Sequence, residues 1–336
     1  MQPKKISIKK KHRAPIVNVK YSPSGKYLIS ADQEGKIILW LNHSFWGPKS
    51  IFSPHTPLTG VWFSEDEEWL ISGYQHGYLL VLSLPKLKIS KETQLGENTK
   101  KNILSGTSRP ILNWVVHANM PIGNQYLNAA LEFRNFYSLQ YDSLKIMKHK
   151  HFPGSLIDYT TNSKTENHIF FGDDLGSVYK YDFSTQSLIF FAVHQEVVKA
   201  YDRSFNPTTI RSATGIAGLA LSTDEKLLAT SSRTGGIQIW ETQKKQELYQ
   251  DVLKKAPKID LKPRREVWLR GLSFFQGTSS IVSGGDDGII ETGDINNEFL
   301  EAFTKCESGV RDLACSPSGN QIAIGCDNGL LYFIDT

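Results

Sequence analysis

Apolar and polar residues alternate in short runs along most of the chain, and Gly, Pro, Ser and Asp punctuate the runs. The pattern is clearest at the two ends. Near the start stands Ile16-Val-Asn-Val-Lys-Tyr-Ser-Pro-Ser-Gly-Lys-Tyr-Leu-Ile-Ser30, followed by Gly35-Lys-Ile-Ile-Leu-Trp40. The last stretch is Val310-Arg-Asp-Leu-Ala-Cys-Ser-Pro-Ser-Gly-Asn-Gln-Ile-Ala-Ile324, followed by Gly329-Leu-Leu-Tyr-Phe-Ile334. Each copy alternates, turns, runs apolar, turns at Gly and runs apolar again, which predicts a three-strand meander. Val, Ile, Tyr, Phe, Trp and Thr dominate these runs and favour strand over helix.

Seven copies are found, spaced by about 40 to 60 residues, a period that suits a four-stranded propeller blade. The blades are expected at about 12–52, 55–90, 108–147, 154–192, 214–250, 267–303 and 308–336, with 4–11 joining the last, all within one domain over 1–336. Weaker runs after each third strand predict an outer fourth strand: Phe45 to Phe52, Lys86 to Ile89, Ser143 to Met147, Ser187 to Ala192, Glu247 to Tyr249 and Glu298 to Phe303. The seventh copy has no such run. Lys5-Ile-Ser-Ile-Lys9 alternates in the required way and is expected to pair as its outer strand, closing the ring and removing two free sheet edges.

These features resemble the WD-repeat β-propeller family. The resemblance rests on Ser-Pro-Ser-Gly at 22–25 and 316–319, and on Ser64-Glu-Asp and Ser222-Thr-Asp-Glu at the same place. Trp40 and Trp240 end third strands, and Asp182, Asp294 and Asp335 fill the Asp position of the Trp-Asp signature. It implies an all-β, seven-bladed propeller. The family's Gly-His opening survives at His12 and His55, and its Asp before the third strand at Asp287, with Glu34, His76, Leu175, Thr234 and Asn328 elsewhere. Most blades are therefore expected to lack the family's internal hydrogen-bond network and to lean on packing.

Composition narrows the function. Hydrophobic residues make up 40% of the 336, charged residues 21% and aromatics 11%, values of an ordered chain rather than a disordered one. No apolar run reaches the eighteen or so residues of a membrane helix, and the basic N-terminus lacks the apolar core of a secretory signal. Cys306, Cys315 and Cys326 have no metal-like spacing and read as small hydrophobes in a reducing, intracellular setting, cytoplasmic or nuclear. No catalytic motif is present. Gly284-Gly-Asp-Asp-Gly288 serves a turn between strands, and His149-Lys-His151 lacks a third ligand. No cofactor, no metal and no membrane contact are expected.

Charge is unevenly spread. The stretches 1–15, 86–110, 145–151, 193–215 and 243–267 are taken as outer strands and inter-blade connections. They hold 26 of the 38 Lys and Arg but 8 of the 34 Asp and Glu. The densest cluster is Lys254, Lys255, Lys258, Lys262, Arg264 and Arg265, in a segment too long for a minimal turn. By family resemblance these connections share the top face. Arg270 and Arg311 occupy equivalent places at the start of the innermost strand, beside the mouth of the channel, and Arg233 projects to the same face. In F-box-type WD propellers that inner-strand position carries arginines that clamp phosphorylated peptides, and the resemblance covers Arg270 and Arg311. A planar guanidinium suits phosphate or carboxylate. The bland alternative is local pairing, for example with Asp312 or Glu291. The expectation is a non-catalytic scaffold, monomeric within a larger complex. It would bind an acidic or phosphorylated protein segment through Arg233, Arg270, Arg311 and Trp268, with the lysine-rich loop steering association. The alternative is nucleic-acid contact through the same lysines, as a subunit of a ribonucleoprotein or DNA-handling complex.

Overall fold

A computed structural model describes residues 3–41, 47–54, 56–96, 114–120, 126–132, 134–162, 167–201, 207–243, 257–261, 265–297 and 300–336. The first blade is β2 (Ile16–Tyr21), β3 (Tyr27–Asp32), β4 (Ile37–Leu41) and β5 (Gly47–Phe52). The second is β6 (Leu58–Phe63), β7 (Trp69–Tyr74), β8 (Tyr78–Ser83) and β9 (Lys88–Gln94). The third is β10 (Val115–Asn119), β11 (Tyr126–Leu131), β12 (Asn135–Gln140) and β13 (Ile146–His151). The fourth is β14 (Ile157–Asn162), β15 (His168–Asp173), β16 (Ser177–Asp182) and β17 (Ser187–Val193). A separate hairpin follows, β18 (Gln195–Tyr201) and β19 (Pro207–Ala213). The fifth blade is β20 (Ile216–Leu221), β21 (Leu227–Ser232), β22 (Ile237–Glu241) and β23 (Ile259–Leu261). The sixth is β24 (Gly271–Phe274), β25 (Ser280–Gly284), β26 (Ile289–Asp294) and β27 (Glu301–Lys305). The seventh is β28 (Val310–Cys315), β29 (Gln321–Cys326) and β30 (Leu330–Asp335), completed by β1 (Lys5–Lys10).

Neighbouring innermost strands touch all the way round, from β2 and β6 to β24 and β28, and β28 returns to β2. The chain is thus a seven-bladed β-propeller closed on itself. Its closure is the expected one: β1 runs antiparallel to β30, from Lys5 opposite Asp335 to Lys10 opposite Leu330. Packing seals the same seam. Ile16, Leu28, Ile38 and Trp40 of the first blade form one buried cluster with Ala323, Leu331 and Phe333 of the seventh. Asp312 of β28 also crosses the seam, accepting the Val19 N–H of β2 at 2.8 Å.

The repeated turns explain the repeated residues. At Ser-Pro-Ser-Gly the Gly25 and Gly319 backbones have φ of 75° and 71°, a region that glycine enters without strain. Each Gly N–H closes the turn on the Ser carbonyl, at 2.9 Å to Ser22 and 2.8 Å to Ser316. The Ser22 and Ser316 hydroxyls accept the N–H of Tyr27 and Gln321, both at 3.1 Å.

Two expectations need correction. The outer strand of the fifth blade was expected at Glu247 to Tyr249, which lies outside the described residues. The strand that pairs with β22 is β23, inside the lysine-rich stretch, where Ile259 and Leu261 alternate around Asp260. The segment 193–215 was expected among the outer strands and inter-blade connections, without a hairpin of its own. It contains the seven-residue ladder of β18 and β19, in line with the β-branched Val197, Val198, Thr208, Thr209 and Ile210.

Candidate functional site

In the first blade side-chain hydrogen bonds hold the second strand against the loop before the first strand. The Trp40 indole N–H donates to the Ser30 hydroxyl at 2.8 Å, Ser30 meets His12 Nε2 at 2.7 Å, and His12 Nδ1 meets Asp32 at 2.8 Å. All four side chains are buried. Asp32 also accepts the Lys36 N–H at 3.0 Å, closing the turn into β4. This is a complete network in a blade expected to lack it. Its carboxylate stands at the end of the second strand, two residues before Glu34. His55, the other expected histidine, lies outside the described residues.

Other blades fill these positions differently. In the fifth, Trp240 donates to Thr230 at 3.1 Å and Thr230 meets His194 Nδ1 at 2.7 Å, but Ser232 takes the place of Asp32. The carboxylate comes from outside the blade: Glu196, at the base of the inserted hairpin, accepts the Ser232 hydroxyl hydrogen and stands 3.3 Å from His194 Nε2. In the fourth blade Asp173 is met by Arg134, which reaches over from the third blade to 3.0 Å, donates to the Ser155 carbonyl at 2.8 Å and lies over the Tyr179 ring. The seventh places Cys306 and Cys326, both buried thiols, where the first has His12 and Asp32. The sixth places Arg265 where the first has His12. Arg265 pairs with Asp287, reaches Glu291 at 3.3 Å and donates to the Ile289 carbonyl at 3.1 Å. Arg265 was expected in a solvent-facing loop. Its guanidinium is turned into the blade instead, because two carboxylates there need a cation.

The top rim is shaped by a repeated irregularity. Six innermost strands bulge at the same residue, between Ile16 and Asn18, Leu58 and Gly60, Val115 and His117, Ile157 and Tyr159, Ile216 and Gly218, and Val310 and Asp312. A bulge re-aims one side chain and ends regular pairing. Arg311 is the bulged residue of the seventh blade, and Arg270 holds the matching place just before β24. Both line the central channel, a cavity of about 450 Å³. Asp312 does not pair with Arg311, since it is occupied across the seam, and burial pushes its carboxyl above the ordinary range. His117, deeper in the channel wall, is pushed by burial down to about 3, with Lys20 adding to the effect, so the imidazole is neutral.

Three of the expected residues converge. The Arg233 and Arg270 guanidiniums both lie over the Trp268 indole, at 4.8 Å and 4.3 Å from its centroid. Trp268 is 38% exposed. Arg270 faces Asp286 with two nitrogens, at 2.8 Å and 3.4 Å, and its Nη1 reaches the Tyr159 hydroxyl of the fourth blade at 3.4 Å. The register match of Tyr159 in the intervening fifth blade is Gly218, which lines the channel without a side chain. Arg311 pairs with Asp327 within the seventh blade. Local pairing therefore exists, with Asp286 and Asp327 rather than the Asp312 and Glu291 read from the sequence. Both carboxylates stand at the rim, 39% and 36% exposed.

The lysine-rich cluster is only partly described. Lys258 pairs with Glu241 at 3.0 Å. Lys254, Lys255, Lys262 and Arg264 lie outside the described residues. His149 stacks on Tyr137 with ring centroids 4.4 Å apart and meets Asn135 at 3.0 Å. Among the described residues no group of three His, Cys, Asp or Glu side chains is placed to hold a metal, and no helix is long and apolar enough to cross a membrane.

Comparison with known proteins gives the same architecture. The family model described as "WD domain, G-beta repeat" matches residues 3–40 and 297–335, two segments that meet in the closing sheet of β1, β28, β29 and β30. Two solved structures superpose over nearly the full ring. "Structure of U3-55K" has a TM-score of 0.74 at 12% identity and covers 98% of each chain. "Crystal structure of RRP9 WD40 repeats" has a TM-score of 0.75 at 12% identity and covers 100% of this chain and 99% of that one. At that identity the likeness is one of fold. Among curated proteins, Dynein axonemal assembly factor 10 of Homo sapiens is 22% identical over 183 residues, 53% of this chain. The match spans about half of that relative's length, 47%.

Proposed function

Since the chain belongs to the WD-repeat β-propeller family, we propose that it is a non-catalytic interaction scaffold taking an acidic or phosphorylated segment of a protein partner at its channel mouth. The observation that carries this reading is the stack of Arg233 and Arg270 on Trp268, with Arg311 on the neighbouring blade. The indole holds two guanidiniums in place and keeps part of its own surface for the partner. Arg270 and Arg311 face carboxylates at an exposed rim, where ion pairs are worth little and exchange readily. An incoming phosphate brings more charge than the carboxylate it displaces and can take the planar fork with two oxygens. The cations of 254–264 add attraction at longer range. Arg265 and Lys258 are engaged within their own sheets and are not assigned to the partner.

The test is direct binding of a pool of acidic phosphoserine peptides, read by fluorescence anisotropy. Combined Arg270→Ala and Arg311→Ala should weaken it by about tenfold or more, and Trp268→Ala by a similar factor. Unchanged affinity in both variants would sink the channel-mouth reading. Binding that ignores peptide sequence and falls steeply with salt, with single-stranded RNA competing, would favour nucleic acid instead.

A further inference from the structure

Among the described residues, the outermost strands of the ring present two different surfaces. The outermost strands of the seventh, first, second and third blades are β1, β5, β9 and β13. They carry Ile6, Ile8, Ile51, Ile89, Ile146 and Met147, each between 44% and 55% exposed. The same four strands hold eight lysines and one carboxylate, Glu92. The outermost strands of the next three blades are β17, β23 and β27. They carry no exposed large hydrophobic side chain, and their charged residues are Asp260, Glu301 and Lys305.

Lysines on an outer strand protect its free edge from pairing with other chains. That need is the same on all seven blades, so it does not explain lysines gathered on four consecutive ones. Nor does it explain the aliphatic side chains between them. A single exposed Ile is ordinary, but six such residues on adjoining strands make a recurrent apolar feature.

We infer that the wall of the seventh, first, second and third blades is a docking surface for an extended, acidic segment of a partner protein. Such a segment would carry apolar residues between its carboxylates. The lysines match the carboxylates, and the Ile and Met side chains match the apolar residues. The outermost strands also leave one backbone edge without a strand partner among the described residues, so an extended chain can add backbone hydrogen bonds. RNA fits less well, because unstacked bases call for exposed aromatic platforms and the exposed apolar groups here are aliphatic. A bilayer fits less well too, since four of seven blades turn through more than half a circle and a flat surface cannot meet them together. The wall is separate from the channel mouth and does not depend on it.

The probe is a fluorescein-labelled synthetic peptide of alternating Glu and Val, titrated with the full chain and followed by anisotropy. Lys10→Glu, Lys49→Glu, Lys88→Glu and Lys150→Glu together reverse charge at exposed positions that form no ion pair among the described residues. This variant should bind about tenfold more weakly or worse. A second variant, Ile51→Ser with Ile89→Ser and Met147→Ser, should lose about threefold to tenfold, while Arg270→Ala with Arg311→Ala should bind as the parent does. Circular dichroism and thermal melts check that the ring is intact. Equal binding by the parent and both wall variants overturns the inference. So does capture of polyuridine or phosphatidylserine vesicles with no binding of the peptide.

Discussion

Glu196, from the base of the hairpin between the fourth and fifth blades, accepts a hydrogen bond from Ser232, at the position where the first blade has its own Asp32. Ser232 in turn accepts the N–H groups of Thr234 at 3.1 Å and Gly236 at 3.0 Å, as Asp32 accepts that of Lys36. An inserted segment thus supplies the charge that its host blade lacks. The hairpin is tied to the ring at the point where the blade needs a carboxylate.

Burial pushes the Glu196 carboxyl up, but the bonds from His194 and Ser232 outweigh it and hold the group below its ordinary value. A depressed carboxyl stabilises the fold above the ordinary glutamate range, and that stability is lost as pH falls through the native value. Glu196→Ala should cost about 1–3 kcal/mol at neutral pH, because it leaves buried donors unmatched. Glu196→Gln should flatten the acid limb of the stability curve while costing less. Urea unfolding at a series of pH values measures both. An unchanged acid limb in Glu196→Gln would remove this carboxylate from the pH dependence.

Asp286 competes with any anionic partner for Arg270. Asp286→Asn keeps the size of the side chain and removes the competing charge. Affinity for acidic phosphoserine peptides should rise about twofold to fivefold, an effect in the range of an exposed ion pair. Anisotropy titration reads the change. A fall in affinity would mean that Asp286 positions the guanidinium rather than blocking it.

Six residue pairs between β1 and β30 close the ring. Removing residues 1–10 should lower the melting temperature by roughly 5 °C or more. It should also expose the edge of β30, so that the shortened chain associates with rising concentration. Calorimetry and light scattering follow the two effects, and a peptide of residues 3–11 added in trans should reverse both.

Much of the fold was legible because alternation and turn chemistry are local. Seven meanders, the Ser-Pro-Ser-Gly turns and the clasp of Lys5 to Lys9 need no knowledge of distant contacts. The likeness of Arg270 to Arg311 was also legible, because equivalent places in a repeat meet equivalent surroundings. Asp32 was missed for a reason of register. The expected carboxylate was sought at Glu34, while the strand places it two residues earlier, beside His12. Only an S-x-D pattern at the end of the second strand, Ser30-Ala-Asp32, carried that signal.

What the sequence by itself determined is the repeat, its period, its closure and the side on which the cations of the rim stand. Only the tertiary structure decided which partner each charge has. Arg265 reads as one more cation of a basic loop until Asp287 and Glu291 are seen around it. Arg233, Arg270 and Trp268 read as neighbours on one face, but only the closed ring stacks both guanidiniums on the indole. Glu196 belongs to an insertion until Ser232 is placed against it. The physical reason is one of range. Strand and turn preferences act within a few residues, whereas a buried or rim charge is satisfied by whatever the closed ring brings within hydrogen-bond distance, at separations that the local pattern does not encode.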